Sequence, residues 1–178
     1  MVEAKRPSSI HVNFRIDAAY KGILEEGARR RDIHLNAYVN HILGKFIFLD
    51  GIVEESQHMV LRKEIFARIV ALGSAEDLVV VAGDIGRDFL KSALAFASVE
   101  ANMDDLVRRY FLPMGIYSGW YRSKVVKTPS GNKLILQHDF GPKWTAFLKE
   151  YCAVVIKSLI HDEVSIVAHD GILEIRYR

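Results

Sequence analysis

The chain has 178 residues, of which 50% are hydrophobic and 26% are charged, and these proportions are typical of a folded globular protein rather than a disordered or fibrous one. A single cysteine, Cys152, excludes an internal disulfide and a four-cysteine zinc site. Apolar runs such as 46–49 and 78–82 are far shorter than the roughly 20 residues that a membrane-spanning helix needs. Because residues 1–15 also lack the apolar segment of a secretory signal, we predict a cytoplasmic protein with a reduced thiol.

The small excess of positive charge lies in the first third of the chain. Residues 1–51 contain eight basic and six acidic side chains, whereas the rest of the chain contains 16 of each. A local positive excess indicates a polyanionic partner only weakly. Together with a change of pattern near His58, it predicts two domains, one over 1–51 and one over 58–178.

The first predicted element is an amphipathic strand over 10–16, in which apolar and polar residues alternate strictly. Successive side chains of a strand point to opposite sides, so this alternation gives one apolar and one polar face. The apolar residues are Ile10, Val12, Phe14 and Ile16, and the polar ones are His11, Asn13 and Arg15.

Two amphipathic helices are predicted after this strand. Asp17 is a suitable N-cap for the first, over 18–31, and the arginines at 29–31 lie in its last turn, where cations suit the helix dipole. After a break at 32–34, the second helix is predicted over 35–49. One short strand and two short helices cannot build a stable core alone. We therefore expect a homodimer in which two strands pair antiparallel, four helices cover their apolar side and the polar side faces out.

The strand I-H-V-N-F-R-I, the helix led by Asp17 and the segment D-I-H-L-N-A-Y-V-N-H-I-L resemble the ribbon-helix-helix family of DNA-binding proteins, of the Arc and MetJ type. The resemblance covers about residues 8–49. It implies an intertwined homodimer whose β-ribbon enters the major groove, and it leaves open whether dimers pair into tetramers. The residues that it places against base edges are His11, Asn13 and Arg15. Arginine can donate to both O6 and N7 of guanine, and asparagine can bind N6 and N7 of adenine.

The resemblance also implies contacts with phosphates. In this family the N-terminus of the second helix binds a phosphate, because its free N–H groups and positive dipole end attract anions. The matching positions are His34, Leu35 and Asn36, although the family usually has serine or threonine where His34 stands. Lys5 and Arg6 precede the strand and are expected to reach the DNA backbone as an arm.

The rest of the chain predicts an α+β domain with an antiparallel sheet. Ser74 is a predicted N-cap, and residues 78–81 are compatible with a strand, but the apolar spacing of three and four favours a helix. The predicted elements are helices over 60–72, 75–97 and 103–111, the last ending before Pro113, strands over 117–126 and 133–138, a helix from Pro142, and a hairpin of strands 164–168 and 172–177 around Asp170 and Gly171. The order is thus helices followed by β-β-α-β-β.

Several patterns that could indicate chemistry are interpreted as structural. The His-Asp pairs at 138–139, 161–162 and 169–170 lack the further spaced ligands of a metal-dependent phosphohydrolase. There is no His-x-His pattern of a nickel-responsive repressor, and Cys152 lies in an amphipathic helix, where cysteine usually fills a core. The aromatic residues Tyr117, Trp120, Tyr121 and Trp144 are interpreted as core, with a ligand pocket as the alternative. The segment H-D-F-G-P-K-W at 138–144 resembles archaeal ribbon-helix-helix proteins with an uncharacterised C-terminal domain.

We therefore predict a homodimeric, sequence-specific regulator of transcription that binds double-stranded DNA and is not an enzyme. No catalytic residue, metal or cofactor is predicted, and no membrane association. The second domain either stabilises the oligomer or senses an unidentified small-molecule effector. Five alternatives stay open: an antitoxin of a toxin–antitoxin pair, a metal- or small-molecule-responsive repressor, an interaction module that uses this fold only to dimerise, an enzyme, and a plain β-α-α segment that packs on the rest of the chain.

Overall fold

The structure is a computed structural model that describes residues 10–13, 15–50, 61–96, 102–129, 131–160 and 163–178. The chain divides into two compact units, Met1–Gly44 and Lys45–Arg178. The predicted domain boundaries at 51 and 58 lie outside the described residues. None of the described helices combines the length and the apolar character that a membrane crossing requires.

The first unit contains α1 (Ala18–Arg29) and the start of α2 (Leu35–Lys45), which continues as a π-helical turn (Phe46–Asp50). The predicted N-cap is confirmed, because the Asp17 carboxylate accepts a hydrogen bond from the Ala19 N–H at 2.8 Å. The described residues at 10–13, 15 and 16 carry no strand pairing within the single chain. The ribbon therefore stays a prediction that requires a second copy.

A compact turn joins α1 to α2. The N–H of Ile33 donates to the carbonyl of Ala28 at 3.2 Å, and the N–H of Asp32 donates to that of Arg29 at 3.1 Å. These two bonds form a Schellman motif, which ends a helix with one residue in the left-handed conformation. Here that residue is Asp32, with φ of 52°. The turn thus uses aspartate at a position that usually holds glycine.

The second unit is an α+β fold, which confirms the predicted class and the predicted order of helices followed by β-β-α-β-β. The strands form one antiparallel sheet in the order β1-β2-β4-β3. The elements are α3 (Lys63–Leu72), α4 (Ala75–Phe96), α5 (Met103–Leu106), a π-helical turn (Val107–Phe111), α6 (Leu112–Tyr117), β1 (Arg122–Thr128), β2 (Gly131–Gln137), α7 (Pro142–Leu159), β3 (Ser165–His169) and β4 (Ile172–Tyr177).

The N-terminus of α4 shows how a local sequence signal fixes a helix. The N–H of Asp77 donates to Ser74 Oγ at 3.0 Å, and Asp77 Oδ2 accepts from the Ser74 N–H at 3.3 Å and from its hydroxyl at 2.7 Å. These reciprocal bonds satisfy N–H groups that the helix leaves free and lower the pKa of Asp77. The predicted cap at Ser74 and the helical interpretation of residues 78–81 are both confirmed.

The prediction was wrong between 112 and 121. The helical path does not stop before Pro113 but continues to Tyr117, and β1 begins at Arg122 rather than at 117. The N–H of Leu112 donates to the carbonyl of Val107, five residues back, so the chain passes into α6 through a wider π-type turn. Pro113 then occupies the first turn of α6, where an N–H is not required.

The core lies between the sheet and the helices of the second unit. Alternate residues of the two central strands are fully buried: Leu134, Leu136, Leu173 and Ile175. Cys152 of α7 is also fully buried, and burial raises the pKa of its thiol, which confirms that it fills the core. The core cluster includes Tyr121 and Trp144, as predicted, and Trp120 is half-buried and packs against this cluster, whereas Tyr117 is half-buried at the end of α6.

Candidate nucleic-acid interface

The polar side of segment 10–16 carries the three predicted base-contacting residues. The side chains of His11, Asn13 and Arg15 are all exposed. His11 Nε2 lies 3.1 Å from Asn13 Oδ1, so these two side chains meet on the same side of the chain. This is the arrangement that residues two apart adopt in extended backbone. The imidazole of His11, the amide of Asn13 and the guanidinium of Arg15 are all accessible to solvent.

Those apolar residues of the same segment that the structure describes are also exposed. Ile10 is 84% exposed, Val12 is 62% exposed and Ile16 is 43% exposed. On α1, Tyr20 and Ile23 are exposed as well, and Ala28 is the buried residue of that helix. Apolar side chains gain about 25 cal/mol for each Å² removed from water. Such an uncovered apolar side favours association with another surface.

Close packing at the corner between α1 and α2 sets the position of the second helix. A Cβ atom on Gly27 would overlap the ring of Tyr38, so glycine allows this ring to lie directly on α1. The Arg31 guanidinium lies 5.0 Å from the centre of that ring and donates to the Gly27 carbonyl at 3.3 Å. Glycine and the cation–π contact together hold the start of α2 against the end of α1.

The predicted phosphate-contacting residues at the second helix lie at its first turn. The carbonyl of His34 accepts the Tyr38 N–H at 3.0 Å, which makes His34 the residue that precedes the helix. His34 and Asn36 are exposed and Leu35 is half-buried. Helix N-termini present N–H groups without intrahelical partners, so this turn is chemically suited to an anion. Lys5 and Arg6 lie outside the described residues.

Positive charge at the end of α1 is partly neutralised. Arg29 and Arg30 bind Glu26 at 2.6 Å and 2.9 Å, and Lys21 lies 3.7 Å from Glu25. These are exposed helix-surface pairs, each of which contributes only about 0.3–0.5 kcal/mol. Among the described residues Arg15 takes part in none of these ion pairs, and its side chain is exposed.

The H-D-F-G-P-K-W segment of the second unit is structural. His138 Nδ1 accepts the Phe140 N–H at 3.3 Å, and its Nε2 lies 3.1 Å from Thr145 Oγ1. Lys143 donates to the carbonyls of Ala71 at 2.9 Å and Gly73 at 2.6 Å, and so caps the end of α3. The segment thus connects α3 to the start of α7.

The other side chains of this segment also have packing partners. Asp139 binds Lys63 with both carboxylate oxygens, at 2.7 and 2.8 Å, and this bond lowers its pKa. Phe140 and Trp144 pack edge to face against Phe66, and Trp144 Nε1 donates to the carbonyl of Trp120 at 3.2 Å. The histidine, aspartate, phenylalanine, lysine and tryptophan of this segment thus all contact neighbouring residues of the fold, and the segment gives no reason to assign a ligand.

No metal site emerges from the described parts of the chain. They contain no group of three or more histidine, cysteine or acidic side chains placed to hold an ion. His138 is buried among its partners, whereas His169 and Asp170 are exposed at a hairpin turn. The pair at 161–162 lies outside the described residues.

A second basic surface lies outside the predicted site. Residues 122–137, which form β1 and β2, contain four basic side chains and no acidic one. This local excess of basic residues could have been found in the sequence, but residues 52–178 as a whole contain equal numbers of basic and acidic side chains, which hides it.

Comparisons of the chain with protein-family models, with curated proteins and with solved structures found no match. The likeness to ribbon-helix-helix proteins therefore rests on the sequence patterns alone.

Proposed function

We propose that the chain is a cytoplasmic, homodimeric regulator of transcription that binds double-stranded DNA sequence-specifically. Segments 10–16 of two copies pair as an antiparallel ribbon and enter the major groove. One observation carries this proposal: an uncovered apolar side, formed by Ile10, Val12 and Ile16, alternates with an exposed side of base-reading chemistry. A second copy covers the first side, and DNA accounts for the second.

The three outward side chains have distinct roles. Arg15 donates two hydrogen bonds to O6 and N7 of a guanine, and Asn13 binds N6 and N7 of an adenine. His11 lies against Asn13 and orients its amide, since the two side chains meet at 3.1 Å. Two-fold symmetry presents each residue twice, so the operator is expected to contain two related half-sites.

Contacts with phosphates fix the ribbon in the groove but do not read sequence. The first turn of α2, at His34, Leu35 and Asn36, offers backbone N–H groups to one phosphate of each strand. Lys5 and Arg6 add two charges for each copy and make the affinity depend on salt.

The folded second unit favours a regulator over an antitoxin. Antitoxins that resemble this first unit usually continue into a short disordered tail, whereas α7 and the sheet enclose a core here. In our proposal this unit stabilises the oligomer or binds an effector.

Selection of binding sites from random duplexes, followed by sequencing, tests the proposal. On the selected duplex we expect Arg15→Ala to cost about 1–3 kcal/mol and to relax one position in each half-site. Arg30→Ala is the matched control, because it removes one exposed charge from the same unit. It is expected to weaken all duplexes slightly and to leave the selected sequence unchanged.

Two results would overturn the proposal. One is equal selectivity of the Arg15→Ala variant and the native chain. The other is a monomer, measured by sedimentation at micromolar concentration in the presence of the selected duplex.

A further inference from the structure

The four-stranded sheet has a second side, opposite the one that builds the core. On each strand, every second residue is on this outward side, because it alternates with residues that face the core, such as the fully buried Leu134 and Ile175. The outward residues are Arg122, Lys124, Val126 and Thr128 on β1, Lys133, Ile135 and Gln137 on β2, Ile172, Glu174 and Arg176 on β4, and Ser165, Val167 and His169 on β3.

The outward side is positively charged within a unit that is neutral as a whole. Residues 45–178 contain equal numbers of basic and acidic side chains, 17 of each. The outward side instead carries four basic residues against one acidic residue, Glu174. Arg122 and Lys124 are exposed on the edge strand β1. The net charge of the outward side is therefore 4 − 1 = +3, whereas that of the whole unit is zero.

Glu174 holds the other two cations in place. Its carboxylate lies 3.0 Å from Lys133 Nζ and 3.1 Å from an Arg176 nitrogen, and these two bonds lower its pKa. Lys133 and Arg176 are direct register partners on neighbouring strands. The ion pairs orient both cations outward and also neutralise part of their charge.

The chemistry of this side fits a phosphate backbone better than exposed bases. Proteins that bind single strands stack the bases on aromatic rings. Phenylalanine, tyrosine and tryptophan are absent from the outward side, whose uncharged members are aliphatic or small and polar. Lysine and arginine without stacking platforms are the composition of a sequence-independent contact with duplex DNA.

We propose that the outward side of the sheet is a second, sequence-independent binding surface for the phosphates of double-stranded DNA. The choice of duplex DNA as the ligand rests on the proposed function, but the contact does not depend on base reading by the ribbon. Arg122 and Lys124 make the principal contacts. Lys133 and Arg176 contribute the charge that Glu174 leaves uncompensated.

The test measures the affinity of the full chain for a random-sequence duplex at several salt concentrations. We expect Arg122→Gln/Lys124→Gln to lower the slope of log K against log salt by up to ~1.8, since each phosphate contact contributes ~0.9. The control is Lys149→Gln/Lys157→Gln, which removes two exposed charges from α7, on the other side of the sheet. Its slope is expected to equal that of the native chain.

A gain of affinity provides a second readout. Glu174→Gln keeps the shape of the side chain and removes the compensating charge, so Lys133 and Arg176 become free to neutralise phosphate. We expect the affinity for random duplex to rise by up to about eightfold at about 0.1 M salt, the effect of one additional phosphate contact. Tryptophan fluorescence during unfolding checks that each variant is folded.

The results separate this proposal from the proposed function. An unchanged slope in Arg122→Gln/Lys124→Gln, with no gain in Glu174→Gln, overturns the sheet surface; these cations would then protect the edge strand from pairing with other chains. Loss of selectivity in Arg15→Ala, measured in parallel, would still support the ribbon. Binding of random duplex through the sheet without any effect of Arg15 would support the sheet surface alone.

Discussion

Replacement of Thr145 by valine removes one hydroxyl group on which two donors depend. His138 Nδ1 accepts the Phe140 N–H at 3.3 Å, so the neutral ring carries its proton on Nε2 and donates it to Thr145 Oγ1 at 3.1 Å. The same oxygen accepts the N–H of Gly171 from the β3–β4 turn at 3.2 Å. His138 and Thr145 are both buried, so water does not replace the lost acceptor.

The expected cost follows from these two donors. A buried donor without an acceptor costs about 1–3 kcal/mol. Gly171 is half-buried and contributes at the lower end, so Thr145→Val is expected to lower the free energy of unfolding by ~2–4 kcal/mol. Thr145→Ser keeps the oxygen and removes one methyl group, which costs ~1 kcal/mol.

Unfolding in urea, followed by tryptophan fluorescence, measures this difference. Of the two tryptophans of the chain, Trp144 belongs to the core cluster of the second unit and Trp120 packs against it, so their fluorescence reports on that unit. With an m value of ~2 kcal/mol per M, the midpoint of Thr145→Val should lie about 1–2 M below that of the native chain. Equal midpoints for Thr145→Val and Thr145→Ser would show that the hydroxyl does not bind these donors.

Two further predictions concern acid stability and the turn between α1 and α2. Burial lowers the pKa of His138 from its ordinary value of 6.5, against the opposing effect of the Asp139 and Asp170 carboxylates. The stability that the neutral ring provides is therefore present above about pH 6.5 and is lost as the pH falls through the lower pKa of the folded state. The urea midpoint should accordingly decrease when the pH is lowered from about 7.5 to about 5.5. An equal decrease in the His138→Gln variant would contradict this explanation. Asp32 has a left-handed backbone conformation with φ of 52°, which glycine adopts more easily than other residues, so Asp32→Gly should stabilise α1 by ~1 kcal/mol and Asp32→Val should destabilise it. Hydrogen exchange of the α1 amides measures both changes. Equal protection in the two variants would contradict the reasoning.

Elements that are specified by residues close in sequence were predicted well. Asp17 caps α1 and Ser74 caps α4 through bonds to residues two or three positions away. The Asp170–Gly171 pair marked the β3–β4 turn, where Gly171 has φ of 72°. In each case the residues that stabilise the element lie within a few positions of one another, so the local sequence was sufficient to predict it.

Features that depend on distant residues were not predictable in this way. The H-D-F-G-P-K-W segment suggested only an uncharacterised domain, because its partners are far away: Lys63 is 76 residues from Asp139, and Ala71 is 72 residues from Lys143. The passage of the helical path through Pro113 requires a π-type turn, which propensity does not indicate. The order β1-β2-β4-β3 likewise depends on pairing between hairpins that are separated by α7.

The two units differ in how their regular strand patterns are covered, and this difference limits what a single chain reveals about the site. In the second unit, the alternate apolar residues of the central strands, such as Leu134 and Leu173, are enclosed by elements of the same chain, although Leu72 and Val80 on its helices are exposed. In the first unit, Ile10, Val12 and Ile16 are exposed although the alternation of the segment is regular. A regular row of apolar residues that its own chain does not cover is expected at an interface with another molecule. A surface that stays in water would have polar residues at these positions. The residues proposed to read bases lie on this segment, so a result that disproves the proposed dimer would also disprove their proposed geometry.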